Sequence, residues 1–470
     1  MNIYIFIIIS YFALVILISF LTKKMASRST SDFLVAGRNL GVIVCAVVVA
    51  AEWLGGMSTI GVSEQAFNTG TLRPILYNIA TATGMIIIGF TVASHYRKKD
   101  VHTVSEMLKF LFGDNARTVS AIAFLLAYIT LAYVQLQTCA GLFGPLLGLD
   151  WTTSILISSV IITLYTYIGG MHALAITGVI HVVVMFIGIG IATFIGMDKV
   201  GGFAELQSSL MATGAPENFY NPFSGGMSKA FSLLLGGILG GMAGQASIQP
   251  IFAAKNAITA KRAAIVSSLI IAPFGIMIAF LGLIAKTGKF FEVSSITNPK
   301  MVLSTLLTTP EFIHPVLGGL ALAGVLAAIL STVGPVNFAI VTIATKDIYQ
   351  GIIHKKVDDK KLLKTAKNMV LLVNVITIPL AIFIHGAILE AAYVSYAIRA
   401  IGAIVIILGI YKRNWITSTG VVLAFIGGTI TIFVCILANK MGWFSVDKTY
   451  GAIISAVIFI LIGNLWEKSR

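Results

Sequence analysis

Long apolar runs separated by short polar segments make up most of the chain. Because the apolar residues are continuous and do not alternate with polar ones, the pattern predicts helices. A helix needs about 20 apolar residues to cross the hydrocarbon core of a bilayer. The runs predict an all-α integral membrane protein with about 13 transmembrane helices, near residues 3–22, 40–67, 74–95, 117–143, 151–169, 170–196, 226–252, 262–285, 312–343, 367–385, 387–411, 416–439 and 449–465.

The composition agrees with a membrane protein and excludes a soluble domain. The chain is 57% hydrophobic and only 11% charged, whereas soluble globular domains carry about 25% charged residues. The three cysteines, Cys45, Cys139 and Cys435, all fall in apolar runs, without the spacing of a disulfide or metal site. We interpret them as packing residues.

The net charge of +14 is explained by membrane topology, because most of the basic residues lie on one side of the predicted spans. Of the 32 lysines and arginines, 23 fall in the loops on one side of the predicted spans, 8 fall on the other side, and Arg399 lies within a span. The positive-inside rule places the larger set in the cytoplasm. We expect a multi-pass protein of the cell membrane, with its N-terminus outside, its C-terminus in the cytoplasm and no nucleic-acid partner. The first segment lacks a basic start and a small-residue cleavage site, so we expect it to remain as a helix.

Glycines interrupt two of the predicted spans. Gly55-Gly56 breaks the second span, and five glycines between Gly236 and Gly244 crowd the seventh. Such glycines either allow close helix packing or mark a discontinuous helix whose free carbonyls line a transport site. Since the two spans lie five apart, we expect two five-helix halves. The predicted divisions are an extra helix with a cytoplasmic link (1–39), the first repeat (40–196), an outer loop (197–225), the second repeat (226–411) and two C-terminal helices (412–470).

Two adjacent hydroxyls, Ser331 and Thr332, lie in the middle of an apolar run. Hydroxyl and carbonyl oxygens can replace the water shell of a monovalent cation, so the pair suggests an ion site inside the membrane. A simpler interpretation is that each hydroxyl bonds to a carbonyl of the preceding turn, as is common in membrane helices.

Three ionisable residues, Glu52, His181 and Arg399, lie within predicted spans. Charged groups at this depth are costly and by default functional. Glu52 could pair with a cationic solute group, exchange a proton or cap a helix end. His181 could titrate or be an ordinary hydrogen-bond partner. Arg399 suits bidentate carboxylate binding, either to a solute or to an internal partner, Glu52 or Glu390.

Four segments resemble the sodium/solute symporter family, in the family's order along the chain. They are residues 30–41, residues 167–177 with Gly169-Gly170, residues 245–262 with Ala253-Ala254-Lys255, and residues 328–349 with Lys346-Asp347. The resemblance implies an inverted five-plus-five helix repeat of the leucine-transporter type, with one helix before it and two after. It also implies transport of a small solute together with sodium.

The resemblance implies an ion site and one departure from the family pattern. The sodium ligands would be the carbonyls of Ala51, Leu54 and Ala328 and the hydroxyls of Ser331 and Thr332. Many relatives carry an aspartate directly after the threonine that corresponds to Thr177. Here Gly178 follows it, and His181 stands where glutamine is frequent. We therefore regard Thr177 and His181 as coupling residues, with the choice between sodium and protons left open.

We predict a secondary transporter that imports a small polar organic solute with sodium by alternating access. The solute would be an amino acid, organic acid, vitamin or sugar-like compound, and Arg399 favours a carboxylate. Proton-coupled or uncoupled transport is the alternative. An intramembrane enzyme or sensor is disfavoured, because the apolar spans hold no cluster of metal or catalytic ligands. Candidate solute contacts, each of which could instead be a packing residue, are Glu52, Trp53, Gln135, Gln245, Gln249 and Arg399.

Overall fold

The computed structural model describes residues 3–26, 38–99, 101–224 and 226–469. Within these ranges the chain is helical apart from its loops and one isolated bridge between Leu40 and Ala254. This confirms the predicted all-α membrane architecture. The helices are α1 (Ile3–Ala26), α2 (Val42–Trp53), α3 (Val62–Thr69), α4 (Ile75–Phe90), α5 (Ala93–Lys98), α6 (Val104–Phe112), α7 (Asp114–Leu147), α8 (Trp151–Val200), α9 (Gly202–Ala212), α10 (Met227–Met242), α11 (Gln245–Phe252), α12 (Ala257–Lys286), α13 (Val302–Thr308), α14 (Pro315–Thr342), α15 (Asp359–Phe383), α16 (Ile388–Tyr411), α17 (Ser418–Met441) and α18 (Lys448–Lys468).

Ten helical stretches of the described chain are long and apolar enough to cross a membrane. An eleventh consists of α2 and the helical residues Met57–Thr69, which are bent by 54° relative to each other. Ile75–Phe90 and Trp151–Leu164 are apolar but shorter. Each of the predicted spans overlaps a helix, but length and composition do not confirm the exact total of 13.

Helix α8 contains two predicted spans within 50 residues. At its start, the ring of Trp151 lies 5.2 Å from Nζ of Lys300, and near its end Lys199 donates to the carbonyl of Glu311 at 2.7 Å. Lys300 and Glu311 both lie between α12 and α14, whereas a straight helix of this length would separate its ends by about 75 Å. The chain therefore turns back within α8. The predicted boundary between the two spans falls among residues 168–173, whose side chains lie outside the described part.

The loops that carry most of the basic residues meet at one end of the helix bundle. Arg97 donates from Nε to the carbonyl of Ala254 at 2.6 Å, and the hydroxyl of Ser418 donates to the carbonyl of Phe112 at 2.8 Å. The first bond joins α5 to the segment that follows α11, and the second joins the end of α6 to the start of α17. We call this the basic end of the protein.

Helix α14 forms the centre of the bundle. All of its residues from 321 to 342 are buried, and it packs against α1, α2, α7 and α8. In contrast, α17 and α18 pack on each other at the periphery and expose large apolar side chains such as Phe433 and Leu465. Exposed apolar surface of this kind suits contact with lipid. The hydroxyls of α14 therefore lie in the protein interior.

Close approach of neighbouring helices explains the glycines at the break after α2. A Cβ atom at Gly55 would lie 1.9 Å from Oγ1 of Thr332, and one at Gly56 would lie 2.2 Å from Oγ1 of Thr138. Only glycine lets α7 and α14 approach the chain this closely. The helix is therefore both broken and closely packed at the same place, and the lining of a transport site by its carbonyls stays a prediction.

We expect the substitution Gly55→Ala to abolish the predicted sodium-driven uptake, because the new methyl group would push α14 away from α2. Overpacking of a dense interior costs about 1–3 kcal/mol. Gly41→Ala is the matched control, since a Cβ atom there meets nothing within 4 Å and Gly41 has an ordinary φ of −74°. Melting temperature and uptake should change only in Gly55→Ala. Wild-type uptake by Gly55→Ala would contradict the described packing.

Candidate functional site

The paired hydroxyls of α14 face the C-terminal end of α2. The Ser331 hydroxyl donates to the carbonyl of Ala51 at 2.6 Å and is 2.8 Å from that of Ala328. The Thr332 hydroxyl donates to the carbonyl of Glu52 at 2.6 Å and lies 3.5 Å from that of Ala51. Four of the five predicted ion ligands thus come together. Bonding to the preceding turn also occurs, but only in addition to the contacts with α2.

Leu54, the fifth predicted ligand, ends the helix. Its amide N–H donates to the carbonyl of Ala50 at 3.0 Å, and Gly55-Gly56 follows without α-helical structure. The loss of helical structure leaves carbonyls of the last turn without an intrahelical donor. The predicted ligand Leu54 therefore lies at the break in the helix.

Position 178 faces the same place from α8. A Cβ atom at Gly178 would lie 3.5 Å from Cγ2 of Val48 and 3.8 Å from Cβ of Ala51. Thr177, which precedes it, is fully buried. The glycine therefore leaves this wall of the site without a carboxylate.

His181 contacts the first helix of the chain. Its Nδ1 lies 2.5 Å from the hydroxyl of Tyr11 on α1, and the two rings pack edge to face with centroids 6.0 Å apart. Both residues are buried. The contact ties the extra N-terminal helix to the core. Tyr11 was not among the predicted site residues, because a single tyrosine in an apolar run gives no signal of its partner.

Arg399 lies on α16 among aromatic rings. Its guanidinium carbon is 4.4 Å from the centroid of the Tyr396 ring, 5.6 Å from that of Tyr128 and 5.8 Å from that of Trp53. Nη1 donates to the Tyr128 hydroxyl at 3.3 Å. The same hydroxyl accepts from the amide of Ala246 at the start of α11. The aromatic neighbours lie on three different helices, so the sequence alone does not group them.

The second broken helix also reaches Arg399. Helix α10 ends at Met242, α11 begins at Gln245, and Gly244 lies between them. A Cβ atom at Gly244 would lie 3.4 Å from Cζ of Arg399, and one at Gly241 would lie 3.3 Å from Cζ2 of Trp53. The breaks in both halves and the buried arginine therefore meet in one region.

Glu52 directly precedes Trp53, one of the rings around Arg399, and it is almost fully buried at 3% exposure. Its Oε2 has no hydrogen-bond partner among the described residues. The other proposed internal partner, Glu390, instead forms an ion pair with Lys229 at 3.3 Å on the protein surface. Glu390 therefore belongs to a separate, exposed pair.

The three glutamines take different positions. Gln245 accepts from the amide of Val104 at 2.8 Å and donates to the carbonyl of His102 at 2.9 Å, so its side chain holds the start of α6. Gln249 donates to the Thr342 hydroxyl at 3.3 Å. Gln135 accepts from the Thr138 hydroxyl at 3.2 Å, and its Nε2 has no partner among the described residues. Within the described part of the chain, Gln135 therefore keeps an open donor for a solute.

A buried ionic cluster lies at the basic end and was not predicted from the sequence. Arg117 on α7 pairs with Asp347 at 2.9 Å, in the π-helical segment Ile343–Ile353 that continues α14. Arg117 also lies 3.6 Å from Glu106, and the Thr103 hydroxyl donates to Asp347 at 3.0 Å. Burial opposes ionisation of Glu106, but the hydrogen bonds and charge of His102, together with the charge of Arg117, lower its pKa to about 2. We call these residues the basic-end cluster.

Two broken helices, a central hydroxyl-bearing helix and buried charges at the breaks are the features of a secondary membrane transporter. The model of the sodium:solute symporter family matches residues 33–430, and the chain therefore belongs to that family. Sodium-coupled symport of a small solute follows from this membership, so the protein is a transporter and not an enzyme. Of the four family-like segments, residues 30–37 lie outside the described part of the structure.

The relatives of this chain agree with the family. The osmoregulated proline transporter OpuE of Bacillus subtilis (strain 168) is 25% identical over 484 residues, which cover 97% of this chain and 94% of that protein. A sodium/proline symporter of Staphylococcus aureus is 25% identical over 489 residues, covering 97% and 92%.

Solved structures share the fold. The substrate-bound, outward-open structure of a Na+-coupled sialic acid symporter has a TM-score of 0.83 at 18% identity, covering 98% of this chain and 96% of that chain. Mhp1, a nucleobase-cation-symport-1 family transporter in a closed conformation, has a TM-score of 0.61 at 14% identity, covering 92% and 94%.

Proposed function

We propose that sodium binds where α14 meets the end of α2. The ligands are the carbonyl oxygens of Ala51, Leu54 and Ala328 and the hydroxyl oxygens of Ser331 and Thr332. The observation that carries this proposal is the 2.6 Å contact between the Ser331 hydroxyl and the Ala51 carbonyl, made across 280 residues of chain. Rotation of each hydroxyl hydrogen away from the carbonyl turns an oxygen lone pair toward the ion.

The chemistry of this ligand set suits sodium. All five oxygens are neutral, and a weakly charged hard ion needs oxygen ligands without strong counter-charge. Gly178 adds no carboxylate from the α8 side. The ion site would link the two halves of the protein, since α2 belongs to the first predicted repeat and α14 to the second.

The solute site lies beside the ion site, around Trp53, Glu52 and Arg399. A permanently charged guanidinium with open donors is suited to bind a carboxylate. The named relatives carry proline, and the structural neighbour carries sialic acid; both compounds contain a carboxylate. Gln135 is a further candidate contact, whereas the side chains of Gln245 and Gln249 bond to other parts of the protein.

The basic-end cluster would keep the path to that side of the membrane closed. Its ion pair joins α7 to the extension of α14, and Gln245 joins α11 to the start of α6. Both α11 and α14 continue from the proposed sites. Movement of α14 when sodium leaves would therefore be transmitted to Arg117 and Asp347, which is the gating that alternating access requires.

The substitution Arg117→Gln should open this end, since it leaves Asp347 buried without its cation. Removal of one partner of a buried ion pair costs about 3–5 kcal/mol. We expect a lower melting temperature and faster maleimide labelling of a cysteine introduced at the buried residue Thr345. Lys109→Gln, which breaks an exposed pair with Asp114, is the control. Equal labelling in the two variants would exclude a closing role.

We propose further that the basic end faces the cytoplasm, as the positive-inside rule indicates. A single cysteine at Lys412, at the basic end, should resist an impermeant maleimide added to intact cells. A cysteine at Lys289, beside Val200 at the opposite end, should react. The native cysteines are replaced by serine in both variants. The reverse pattern would invert the proposed orientation.

Proton coupling is the second candidate, favoured by one observation: at Gly178, beside Ala51, helix α8 offers the proposed ion site no carboxylate. The test uses proteoliposomes with the purified protein and a radiolabelled solute. Uptake should follow an imposed inward sodium gradient at constant pH. If a proton gradient drove uptake in sodium-free buffer, and this uptake were lost in His181→Gln, the coupling ion would be the proton and not sodium.

A further inference from the structure

The open donors of Arg399 form a pair on one edge of the guanidinium group. Nη1 is engaged by Tyr128, while Nε and Nη2 have no hydrogen-bond partner among the described residues. The N–H groups of Nε and Nη2 point the same way and form the side-on fork that matches the two oxygens of a carboxylate. Arg399 is only 1% exposed. A buried cation with this fork open is suited to a ligand whose negative charge offsets the desolvation of the guanidinium group.

Glu52, in the same region, is a buried carboxylate that also lacks a hydrogen-bond partner for one oxygen within the described part of the chain. Glu52 directly precedes Trp53, whose ring centroid lies 5.8 Å from the guanidinium carbon of Arg399. The two charged side chains nevertheless make no ion pair within 4.0 Å, and Oε2 of Glu52 has no partner among the described residues. Two opposite buried charges that lie near each other would gain most from direct contact. Since each instead keeps an open edge, a third group that carries both charges would satisfy both residues.

The surroundings set the chemical character of that group. Trp53, between Glu52 and the break, packs edge to face on Tyr396 with ring centroids 6.0 Å apart. The Tyr396 hydroxyl is held by Tyr77 at 2.9 Å. Indole Nε1 of Trp53 also has no partner among the described residues. Aromatic faces favour a solute whose cationic group can lie against a ring.

We propose that the transported solute is a small zwitterion. Its carboxylate binds side-on to Nε and Nη2 of Arg399, and its ammonium group binds Oε2 of Glu52 against the ring of Trp53. The inference rests on the proposed solute site and adds the second charge and the residue that recognises it. Recognition of both charges also excludes simple anions and simple amines, because each would leave one buried charge unpaired.

Melting temperatures of the purified protein, in sodium chloride and in potassium chloride, test the proposal with two matched sets of probes. The first set is L-proline, cyclopentanecarboxylate and pyrrolidine; the second is β-alanine, propionate and propylamine. In each set one compound carries both charges, one only the carboxylate and one only the amine. The expected result is that at least one zwitterion raises the melting temperature in sodium while its two single-charge analogues do not.

Two variants assign the charges to residues. Arg399→Gln should lose the stabilisation by the zwitterion. Glu52→Gln should lose it too, and should gain stabilisation by the carboxylate-only analogue, because its neutral amide no longer requires a cation. Glu390→Gln, on the same helix as Arg399 but at the surface, should respond like the wild type. Melting temperatures measured without solute show whether each variant is folded. If a single variant proves unfolded, the double variant Glu52→Gln/Arg399→Gln, in which neither charge remains, takes its place. It should bind neither the zwitterions nor their single-charge analogues.

Three results would overturn the zwitterion: equal stabilisation of the wild type by a single-charge analogue, no stabilisation by either zwitterion, or unchanged zwitterion binding by Glu52→Gln. The salt comparison separates this failure from that of the ion site. A higher melting temperature in sodium than in potassium without solute would leave the proposed sodium site standing. No difference between the salts would count against the sodium site itself.

Discussion

Replacement of Ser331 and Thr332 by alanine is expected to raise the sodium concentration needed for half-maximal uptake by roughly ten- to a hundredfold for each residue. Each substitution removes one of the five proposed oxygen ligands. A buried polar contact of this kind contributes about 1–3 kcal/mol, and 1.4 kcal/mol corresponds to about tenfold in affinity. Because the two residues are adjacent, the double variant need not equal the sum of the single effects.

The matched control is Thr83→Ala. Thr83 lies on α4, and its hydroxyl donates to the carbonyl of Ile79 in the preceding turn at 2.8 Å. It tests what the loss of a back-bonded membrane hydroxyl does by itself. Sodium-dependent uptake should be unchanged in this variant. An unchanged sodium half-saturation in Ser331→Ala/Thr332→Ala would exclude both hydroxyls as ligands.

Arg399→Gln should abolish uptake and also destabilise the protein. It removes the proposed solute anchor and leaves Glu52 as a buried carboxylate without a nearby cation. An uncompensated buried charge costs about 3–5 kcal/mol. The second substitution, in Glu52→Gln/Arg399→Gln, should restore the melting temperature without restoring uptake. Separation of the two readouts distinguishes a charge needed for folding from one needed for transport.

The measurements are the detergent-solubilised yield, the melting temperature and uptake for both single variants and the double variant. Glu390→Gln serves as the control for loss of a carboxylate, since its partner Lys229 is partly exposed. If Arg399→Gln folded normally and transported at the wild-type rate, Arg399 would be neither a solute anchor nor an internal partner. If Glu390→Gln restored the stability of Arg399→Gln, the internal partner of Arg399 would be Glu390 and not Glu52.

Much of the membrane architecture could be predicted because it depends on local sequence. Apolar runs specify helices that must satisfy their own backbone in lipid, and the glycines at 55 and 56 mark a break that the structure contains. Ser331 and Thr332 stood out because hydroxyls are rare in such a run. The family resemblance supplied their partner Ala51, which is 280 residues away in the chain.

Contacts between distant helices could not be predicted in the same way. The rings around Arg399 come from α2, α7 and α16, and nothing in the spacing of Trp53, Tyr128 and Tyr396 associates them. Gln245 is in the family-like segment, but its two hydrogen bonds to the start of α6 depend on tertiary packing. The pairing of Arg117 with Asp347 is equally non-local. The exact repeat boundaries stay a prediction.

The most direct test of the central claim is equilibrium binding of radioactive sodium to the purified protein. The account predicts saturable binding to the wild type that potassium does not compete away. It predicts that this binding is lost or weakened at least tenfold in Ser331→Ala/Thr332→Ala, which corresponds to about 1.4 kcal/mol or more. Binding should be retained in Thr83→Ala. Sodium binding of equal affinity in the wild type and the double variant would contradict an ion site between α2 and α14.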